Sequence, residues 1–457
     1  MASFTLDEAL RATGAAVENP APVIFADIVT DTRRITPGAL FVGLQGERFN
    51  GDDFAVEAVN KGAAGVLVSA GCAAKKLAGL TCPVLYAADP LRAYQALAHA
   101  WRMKFSLPVV AITGSNGKTT TKDLTASVLG AAWPVLKTEA NFNNEVGLPL
   151  TLLRLTEKHR AAVVEIGMRG LGQIAALAPI AAPSIGVVTN VGETHIELLG
   201  SMANIARAKS ELVEAIETGG TVILNADDPY VAAMAEKRRR GVQLVTFGEV
   251  EGATVRGGNI VFEGLAASFT VSFDGGTPEK FCLPLAGRHN ISNALAALAV
   301  GWTLGLTPAV MREGLARPAL TEQRFECYKK GAYTIVNDAY NASPASMTAA
   351  LQTLAEIAPG RRIAVLGDML ELGEIAPAAH RRVGEEAAAT GVVALVTCGK
   401  LGERIAEGAK SAGLKSVFPC ASHEAAGEKL RQILKPGDTI LFKGSHGMRM
   451  DKIIALI

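Results

Sequence analysis

The chain has 457 residues, and at roughly 100–200 residues per domain this length predicts two to four domains. Its net charge is +1, and the densest basic cluster, KRRR at 237–240, is typical of a solvated helix end, so the charge does not suggest nucleic-acid binding. Hydrophobic residues make up 49% of the chain, but proline or glycine interrupts the richest apolar stretches before they reach the roughly 20 residues of a membrane span.

A small α/β domain is predicted over residues 1–84. It mixes a helix-like stretch, Phe54–Lys61, with short apolar runs that suit strands: Leu40–Leu44, Gly65–Ser69 and Pro83–Tyr86. A helical segment, Leu91–Lys104, then leads into the next domain.

Residues 85–315 predict a larger domain, in which apolar, β-branched runs alternate with helical patterns. This alternation favours a parallel sheet wrapped by helices. The candidate strands are Val109–Ile112, Ala161–Gly167, Ile185–Asn190, Gly220–Asn225 and Val242–Gly248. Residues 251–285 are glycine-rich with alternating Phe and Val, and they predict a small antiparallel insert.

The pattern restarts after ARPALTEQRFE (316–326), a stretch with proline and charge that marks a domain boundary. Four further strand candidates follow with helices between them: Tyr333–Asp338, Arg362–Gly367, Val392–Gly399 and Thr439–Lys443. Residues 316–457 therefore predict a Rossmann-like α/β domain. The predicted fold class is α/β in three domains: 1–84, 85–315 with a phosphate loop, and 316–457.

A glycine-rich loop, GSNGKTT at 114–120, lies between a candidate strand and a candidate helix. Glycines let backbone N–H groups approach a phosphate, and the helix N-terminus adds a positive field. Lys118 would contact the outer phosphates, and Thr119 would offer its hydroxyl to Mg²⁺. The usual GxxxxGK[ST] pattern has its first glycine where this chain has Ile112. The context still predicts ATP or GTP binding, by Gly114, Ser115, Asn116, Gly117, Lys118, Thr119 and Thr120.

Three other residues stand where a phosphate loop could use them. Glu165 ends an apolar strand, and a carboxylate at the carboxyl edge of a parallel sheet suits a hard cation. His195 falls just beyond another strand, and Lys209 lies in the helical stretch IARAKSEL. From the residues alone, a loop acid, a structural histidine and a solvent-facing lysine remain open alternatives.

The stretch AGRHNISNA at 286–294 opens a helical pattern with several polar residues. Asn290 or Ser292 could cap this helix, because Asn and Ser side chains accept hydrogen bonds from the first free N–H groups. Alternatively, His289 and Asn290 could contact an adenosine. The sequence leaves this choice open.

Together, these stretches resemble the Mur ligase family along essentially the whole chain. The motifs that carry the resemblance are TGSNGKTTTK, NFNNEVGLPLTLL (141–153), EIGMRGLGQI (165–174), NVGETHIELLGS (191–202), ARAKSEL, LNADD, GRHNISNALAA, DAYNASPASM (338–347), LGDMLELG (366–373) and KGS (443–445). NFNNE and LGDMLELG are most similar to the member that adds D-alanyl-D-alanine to UDP-N-acetylmuramoyl tripeptide, whereas the loop marks only the superfamily. The resemblance implies that ATP phosphorylates a carboxylate and an amine attacks the acyl phosphate.

The resemblance also implies roles for individual residues. The family's short GxxGKT[ST] loop accounts for Ile112. Two Mg²⁺ ions are implied, one held by Thr119 and Glu165 and a second held with the help of His195. Lys209 matches a lysine that carries a carbamate formed with CO₂, an anion able to bind Mg²⁺. The implied catalytic residues are Lys118, Glu165, His195 and Lys209, and the further cofactor-binding residues are His289, Asn290, Arg324 and Asp338.

Substrate residues are implied in the same way. Segment 30–54 matches the family's uridine-nucleotide segment, with Thr32 and Arg33 at the uracil and pyrophosphate end and Arg48 towards the peptide or sugar. The other implied substrate residues are Asn141, Asn143, Asn144, Glu145, Tyr340 and Asn341. The chain departs from the family at Asp52, where histidine is common, and at Ser343, where asparagine is usual. The change at position 52 argues against carrying over a direct role for that residue. The change at position 343 argues against carrying over the contact that the family's asparagine makes.

Two rival functions are weighed against this one. A sister ligase that adds one amino acid usually carries a DNPR-like motif, which DAYNASP lacks. A nucleotide-dependent switch would be expected to carry the NKxD base-reading motif of GTPases, and the sequence has none. The choice between meso-diaminopimelate and lysine as third peptide residue stays open.

The expected setting is the cytoplasm, as a monomer without nucleic-acid partners or membrane insertion. The N-terminus MASFTLDEALRATG shows no basic region followed by an apolar core, as a secretory signal would. The six cysteines are scattered without a CxxC pair, which favours reduced and mostly buried thiols.

Overall fold

The computed structural model describes residues 2–457, and these form two compact units. The first unit is built from the chain up to Ala111, with Trp133–Gly167 and Ala175–Ser184. The second consists of Ile112–Ala132, Met168–Ile174 and Ile185–Ile457. The domain division at residues 84/85 and 315/316 stays a prediction.

The elements follow one another as an alternation of strands and helices. The strands are β1 (Phe4–Thr5), β2 (Ala16–Glu18), β3 (Ile24–Phe25), β4 (Asp27–Val29), β5 (Ala39–Val42), β6 (Gly65–Ser69), β7 (Val84–Ala87), β8 (Val109–Thr113), β9 (Val135–Lys137), β10 (Ala161–Glu165), β11 (Ile185–Val188), β12 (Thr221–Asn225), β13 (Gln243–Gly248), β14 (Val255–Glu263), β15 (Ala266–Phe273), β16 (Glu279–Leu283), β17 (Glu326–Lys330), β18 (Tyr333–Asp338), β19 (Arg362–Gly367), β20 (Ala394–Cys398), β21 (Val417–Cys420) and β22 (Thr439–Lys443). The helices are α1 (Leu6–Thr13), α2 (Ala55–Asn60), α3 (Pro90–Arg102), α4 (Lys118–Gly130), α5 (Gly147–Leu152), α6 (Gln173–Ala181), α7 (Ile196–Leu199), α8 (Met202–Ala215), α9 (Pro229–Ala232), α10 (Arg288–Thr303), α11 (Pro308–Ala316), α12 (Pro344–Ile357), α13 (Ala376–Ala389), α14 (Gly402–Ser411), α15 (His423–Ile433) and α16 (Asp451–Ile454).

The first unit contains a five-stranded sheet in the order β2-β7-β6-β5-β4. Strands β4 to β7 run parallel, and β2 pairs antiparallel with β7 at the edge. Phe41, Val66 and Val68 on this sheet pack against Ala55 and Ala58 of α2 in one buried cluster. The three strands and the helix predicted within residues 1–84 are confirmed.

In the second unit, β11, β12, β13 and β14 pair in parallel, and β14, β15 and β16 continue as antiparallel neighbours. The predicted antiparallel insert is therefore confirmed, and it extends the edge of the parallel strands. Helix α10 packs against β12, β13 and β14, as expected for a sheet covered by helices.

A separate six-stranded sheet in the second unit has the order β17-β18-β22-β19-β20-β21. Strands β18, β22, β19, β20 and β21 run parallel, and β17 pairs antiparallel with β18 at the edge. Helices contribute to two buried apolar clusters in this part of the unit. One cluster includes Leu351 of α12 and Val383 of α13, and the other includes Leu430 of α15 and Ile453 of α16. The four predicted strands are confirmed, and the α/β fold class with them. The edge strands β17 (ECYKK) and β21 (VFPC) were not predicted, because charge and proline at an edge weaken the strand pattern.

Two predictions about the whole chain can be compared with the structure. Over residues 2–457, none of the helices combines the length and the apolar character needed to cross a bilayer. The six cysteines are free thiols, but only Cys398 is buried and Cys282 is exposed. The prediction of mostly buried thiols is wrong, since alternation along β16 turns Cys282 outward between Phe281 and Leu283, which are buried.

Candidate active site

The phosphate loop is a turn that only glycine can make. Strand β8 is fully buried through Ile112, so this residue belongs to the strand and not to the loop. Gly114 has φ 152° and Gly117 has φ 77°. A Cβ at Gly114 would overlap the Thr189 hydroxyl, and one at Gly117 would overlap the Asn293 side-chain oxygen. The short loop therefore keeps its backbone bare, as phosphate binding requires.

The segment after β11 holds this loop in place. The Asn116 N–H donates to Asn190 Oδ1 at 2.8 Å, and Thr189 Oγ1 donates to the Asn116 carbonyl at 2.7 Å. Ser115 Oγ exchanges hydrogen bonds with the Gly192 carbonyl at 3.0 Å and the Gly192 N–H at 2.8 Å. Sequence reasoning did not assign Thr189 and Asn190, although they belong to a strand end in the same sheet.

Three basic side chains share one electrostatic environment beside the loop. Lys118 Nζ donates to the carbonyls of Gly114 at 2.9 Å and Ser115 at 3.2 Å. Lys209, on α8, is 2% exposed; burial lowers its pKa well below the ordinary lysine value, and the charge of Lys118 lowers it further. Burial also lowers the pKa of His195, against a rise caused by the Glu371 carboxylate and with further lowering by Lys118 and Lys209. This environment favours a neutral amine at Lys209 and attracts anions.

The connecting segment 319–324 is bound along α4. Three residues of α4, four positions apart, contact it: Arg324 Nη2 donates to Thr119 Oγ1 at 3.1 Å, the Thr321 N–H donates to Asp123 Oδ2 at 2.8 Å, and the Ala319 N–H donates to Ser127 Oγ at 3.2 Å. The Arg324 guanidinium also lies 3.7 Å from the ring centroid of Tyr340. Thus the predicted residues Thr119, Arg324 and Tyr340 come together.

Ser343 makes a contact of its own where the family usually has asparagine. Its hydroxyl donates to Asn116 Oδ1 of the phosphate loop at 2.9 Å and accepts from the Ser346 N–H at the start of α12. Ser346 in turn accepts from the Ser343 N–H at 2.9 Å, which completes a capping box. One side chain therefore caps a helix and touches the loop.

Glu165 lies in the first unit, at the end of β10, and is 2% exposed. The Asn143 amide donates to Glu165 Oε1 at 2.6 Å, and the Glu165 N–H donates to Thr138 Oγ1 at 3.1 Å. Asn143 and Glu165, both predicted as site residues, are therefore brought together. Asn144 instead stabilises the turn before α5, since its side-chain oxygen accepts from the Gly147 N–H at 2.8 Å, while Asn141 and Glu145 are exposed.

The prediction that Asn290 or Ser292 caps a helix is wrong. Helix α10 begins at Arg288 after Gly287, whose φ of 94° turns the chain without a side-chain cap. Asn290 lies inside the helix and donates to the Ala286 carbonyl at 2.8 Å. A glycine can take this backbone shape without strain, so the helix starts earlier than the polar residues suggest.

Two further cofactor candidates lie near the start of β17 and the end of β18. Burial lowers the pKa of His289 to about 4, and its ring packs edge-on against Phe325. Asp338 accepts from Lys443 Nζ at 2.6 Å and from the Phe325 N–H at 3.2 Å. Lys443 also donates to the carbonyl of Asn341 at 2.9 Å, so these residues form one polar cluster.

The uridine-side candidates are mostly exposed. Arg33 forms an ion pair with Asp31 at 2.7 Å, with 85% of the arginine side chain exposed. Thr32 donates to Glu57 at 2.9 Å, and Arg48 is exposed. Asp52 is buried and accepts from the Ser69 backbone and hydroxyl, so the residue that departs from the family pattern stabilises the end of β6.

The residues of the second unit fit a nucleotide better than a preformed metal cluster. The bare loop, the N-terminus of α4 and the basic side chains suit a polyphosphate. Within residues 2–457, no three His, Cys, Asp or Glu side chains gather as a metal site. A metal bound beside the loop would therefore need other oxygens, such as the Thr119 hydroxyl and phosphate oxygens, which are ligands that Mg²⁺ accepts.

Family comparisons match most of the chain. The Mur ligase family catalytic domain matches residues 25–99, the Mur ligase middle domain matches 112–301, and the Mur ligase glutamate ligase domain matches 323–446. Proteins named UDP-N-acetylmuramoyl-tripeptide–D-alanyl-D-alanine ligase are similar over nearly their whole lengths. That of Synechocystis sp. is 40% identical, covering 94% of this chain and 91% of the relative; that of Bacillus subtilis is 37% identical, covering 93% and 92%.

Solved structures agree with this likeness. MurF from Acinetobacter baumannii has a TM-score of 0.91 at 29% identity, covering 99% of this chain and 98% of that one. MurF ligase from Thermotoga maritima in complex with ADP has a TM-score of 0.84 at 27% identity, covering 94% and 97%.

Proposed function

The chain belongs to the Mur ligase family, and from this membership we propose that it is an ATP-dependent ligase of peptidoglycan synthesis. It joins D-alanyl-D-alanine to UDP-N-acetylmuramoyl tripeptide. The observation that carries the proposal is the near full-length likeness to relatives named for this activity. The geometry of the phosphate loop agrees with it, because Lys118 begins α4 directly after the glycine turn at Gly114 and Gly117, where a phosphate would bind.

The reaction needs activation because a carboxylate is a poor electrophile. A carboxylate oxygen of the tripeptide attacks the γ-phosphorus of ATP, the bond to ADP breaks, and an acyl phosphate forms. The amine of D-alanyl-D-alanine then attacks the acyl carbon and loses a proton, and inorganic phosphate leaves. Lys118 and the N-terminus of α4 would neutralise and orient the phosphates during the first transfer.

Magnesium ligands follow from the family. Thr119, Glu165, His195 and a carbamylated Lys209 would hold two Mg²⁺ ions, which supply charge neutralisation on the phosphates. The low pKa of the buried Lys209 supports its modification, because only the neutral amine attacks the carbon of CO₂. The neutral amine forms an N–C bond as one C=O π bond of CO₂ opens, and the loss of one proton leaves an anionic carbamate; starting from the ammonium, two protons are lost in all. An unmodified ammonium at this position would repel a metal.

The remaining assignments are carried over residue by residue. Thr32 and Arg33 would bind the uracil and pyrophosphate end of the uridine nucleotide, and Arg48 the peptide or sugar. The peptide or the adjoining metal region would be contacted by Asn141, Asn143, Asn144 and Glu145. Arg324, His289, Asn290 and Asp338 would contact ATP, and Tyr340 and Asn341 the second substrate. We also propose that the protein works in the cytoplasm as a monomer, without nucleic acid or membrane insertion.

The decisive experiment is phosphate release from ATP by the purified full chain. Release should require UDP-N-acetylmuramoyl tripeptide and D-alanyl-D-alanine together, and turnover indifferent to either substrate would defeat the proposal. Comparing tripeptides that end in meso-diaminopimelate and in lysine identifies the third residue. Mass measurement under bicarbonate tests the carbamylation of Lys209. An unmodified lysine in a fully active enzyme would overturn this part of the proposal.

A further inference from the structure

The side chain of Glu371 contacts His195, although the two residues are 176 positions apart in the sequence. Glu371 belongs to LGDMLELG (366–373), a motif quoted for the resemblance but given no role there. Its Oε2 contacts Nδ1 of His195 directly. This side chain is the functional candidate that sequence reasoning missed, and its acidic character inside a motif was the available signal.

The contact decides which nitrogen of His195 is available. A carboxylate can only accept hydrogen bonds, so Nδ1 of the neutral imidazole carries the hydrogen and donates it. Nε2 then keeps its lone pair. Histidines that bind metals nearly always donate their other ring N–H to a carboxylate or carbonyl, which fixes the tautomer and the ring orientation.

Backbone contacts support this side-chain pair. The Glu197 N–H donates to the Glu371 carbonyl at 3.3 Å, so the two segments meet through main chain as well. Glu371 and His195 both adopt left-handed backbone conformations, with φ 63° and 61°. Residues other than glycine take such conformations at a cost, and they persist where the surrounding structure enforces them.

Two arginines complete the connection. Arg169 Nη2 lies 3.7 Å from the other carboxylate oxygen of Glu371. Arg382, on α13, donates to Glu193 at 3.2 Å, two residues before the histidine. The segment around His195 is therefore bound by residues of the part matched by the glutamate ligase domain at three points: through Glu371, its carbonyl and Arg382.

We propose that Glu371 is a positioning residue for His195: it accepts the hydrogen bond from Nδ1–H and so leaves the lone pair of Nε2 available to hold the second Mg²⁺ when that ion binds. The inference rests on the proposed function, in which His195 binds that ion. It goes beyond it because the metal site then depends on a residue from 323–446 as well as on the middle domain. A metal would be held well only when LGDMLELG is docked against the His195 segment.

The test uses the full chain with ¹⁵N-labelled histidine and Glu371→Gln and Glu371→Ala variants. Glu374→Gln is the matched control, because Glu374 is exposed in the one-turn helix Gly373–Ile375 that follows Glu371. In metal-free protein, ¹⁵N shifts should report one His195 tautomer, protonated at Nδ1, in the wild type. Glu371→Ala should give a mixture, and Glu371→Gln, whose amide oxygen can still accept, should lie between.

The second readout is Mn²⁺ bound together with a non-hydrolysable ATP analogue. Pulsed EPR should detect a histidine nitrogen on Mn²⁺ in the wild type and lose it in His195→Ala. Glu371→Ala should weaken that Mn²⁺ site by about 10–100-fold, the usual effect of removing such a partner, and Glu374→Gln should not.

The outcomes separate the two proposals. Pulsed EPR could show histidine coupling in the wild type while Glu371→Ala keeps the wild-type Mn²⁺ affinity and the wild-type His195 tautomer. That result would overturn the positioning role and leave the proposed function standing. Tighter Mn²⁺ binding in Glu371→Ala would also overturn it, because the carboxylate would then compete with the metal. Absence of coupling in the wild type would overturn the metal role of His195, and this inference with it. Thermal unfolding of each variant identifies any that do not fold.

Discussion

The phosphate loop and the uridine-side segment 30–54 are stabilised in opposite ways. The loop has a bare backbone, and side chains from distant parts of the chain hold it, including Asn190 and Ser343. In segment 30–54, the candidates Arg33 and Arg48 are exposed, and Arg33 bonds to its near neighbour Asp31. Binding by backbone groups needs the whole fold to hold one shape, whereas binding by exposed side chains needs only their chemistry.

This difference explains why the two sites are recognised with unequal ease. A loop that must be glycine at two positions leaves a sequence pattern with a physical cause. Exposed arginines and threonines occur throughout protein surfaces, so only the family resemblance singles out Thr32, Arg33 and Arg48. Four variants can break or sharpen the comparison.

The largest effect is expected from Lys118→Ala. Removing a charge aimed at the transferred phosphoryl group should lower kcat/KM for substrate-dependent phosphate release by about 10²–10³-fold. Lys158→Ala, which removes an exposed lysine, is the control and should match the wild type. Activity within twofold of wild type in Lys118→Ala would contradict the role of the loop lysine.

His289→Gln tests, by pH dependence, the burial of this ring beside Phe325. Because burial lowers the pKa of His289 to about 4, from about 6.5 when unfolded, the unfolded chain binds more protons between these values. This residue therefore contributes stability above pH 6.5 that is lost as pH falls through 4, up to about 3 kcal/mol. The variant should lose less stability over that range in chemical unfolding. Parallel curves for variant and wild type would refute the shift.

Ser343→Ala separates the two tasks of one hydroxyl. Ser422→Ala is the matched control, since Ser422 caps α15 in the same way and lies outside the candidate site. Both variants should lose about 0.5–2 kcal/mol of unfolding free energy. Only Ser343→Ala should also raise KM for ATP, by about two- to tenfold, because it loses the bond to Asn116. Equal KM values in the two variants would show that the contact does not support the loop.

The smallest effect is expected from Arg33→Ala. Hydrogen bonds from Arg33 lower the pKa of Asp31 to about 2. The pair therefore stabilises the fold at pH values above the pKa that Asp31 has in the unfolded chain, and this stabilisation is lost as pH falls through 2. Both side chains face solvent, and exposed pairs contribute little. The unfolding free energy at neutral pH should equal that of the wild type within experimental error, while NMR titration shows the Asp31 pKa rising. A clear loss of unfolding free energy would mean that this segment is held as tightly as the loop.

Much of the fold followed from local pattern. Buried parallel strands are continuous apolar runs, so Val109–Ile112 and Thr439–Lys443 were found where they lie. The edge strand β17 was not predicted, because its charged residues do not form an apolar run. In the candidate site, Lys118, Thr119 and Glu165 could be proposed from the sequence because they lie at strand and helix ends. Partners distant in sequence were not: Glu371 meets His195 across 176 positions, and no spacing rule connects them.

The contacts along α4 have a consequence for how the chain tolerates change in length. Connecting segments usually accept inserted or deleted residues. Here the segment 319–324 meets Thr119, Asp123 and Ser127 at successive turns of one helix. One residue more or less between Ala319 and Arg324 would move the arginine away from Thr119 while the other contacts stayed in place. The length of this segment is therefore as constrained as its composition, and natural variation should appear there as substitution and not as insertion.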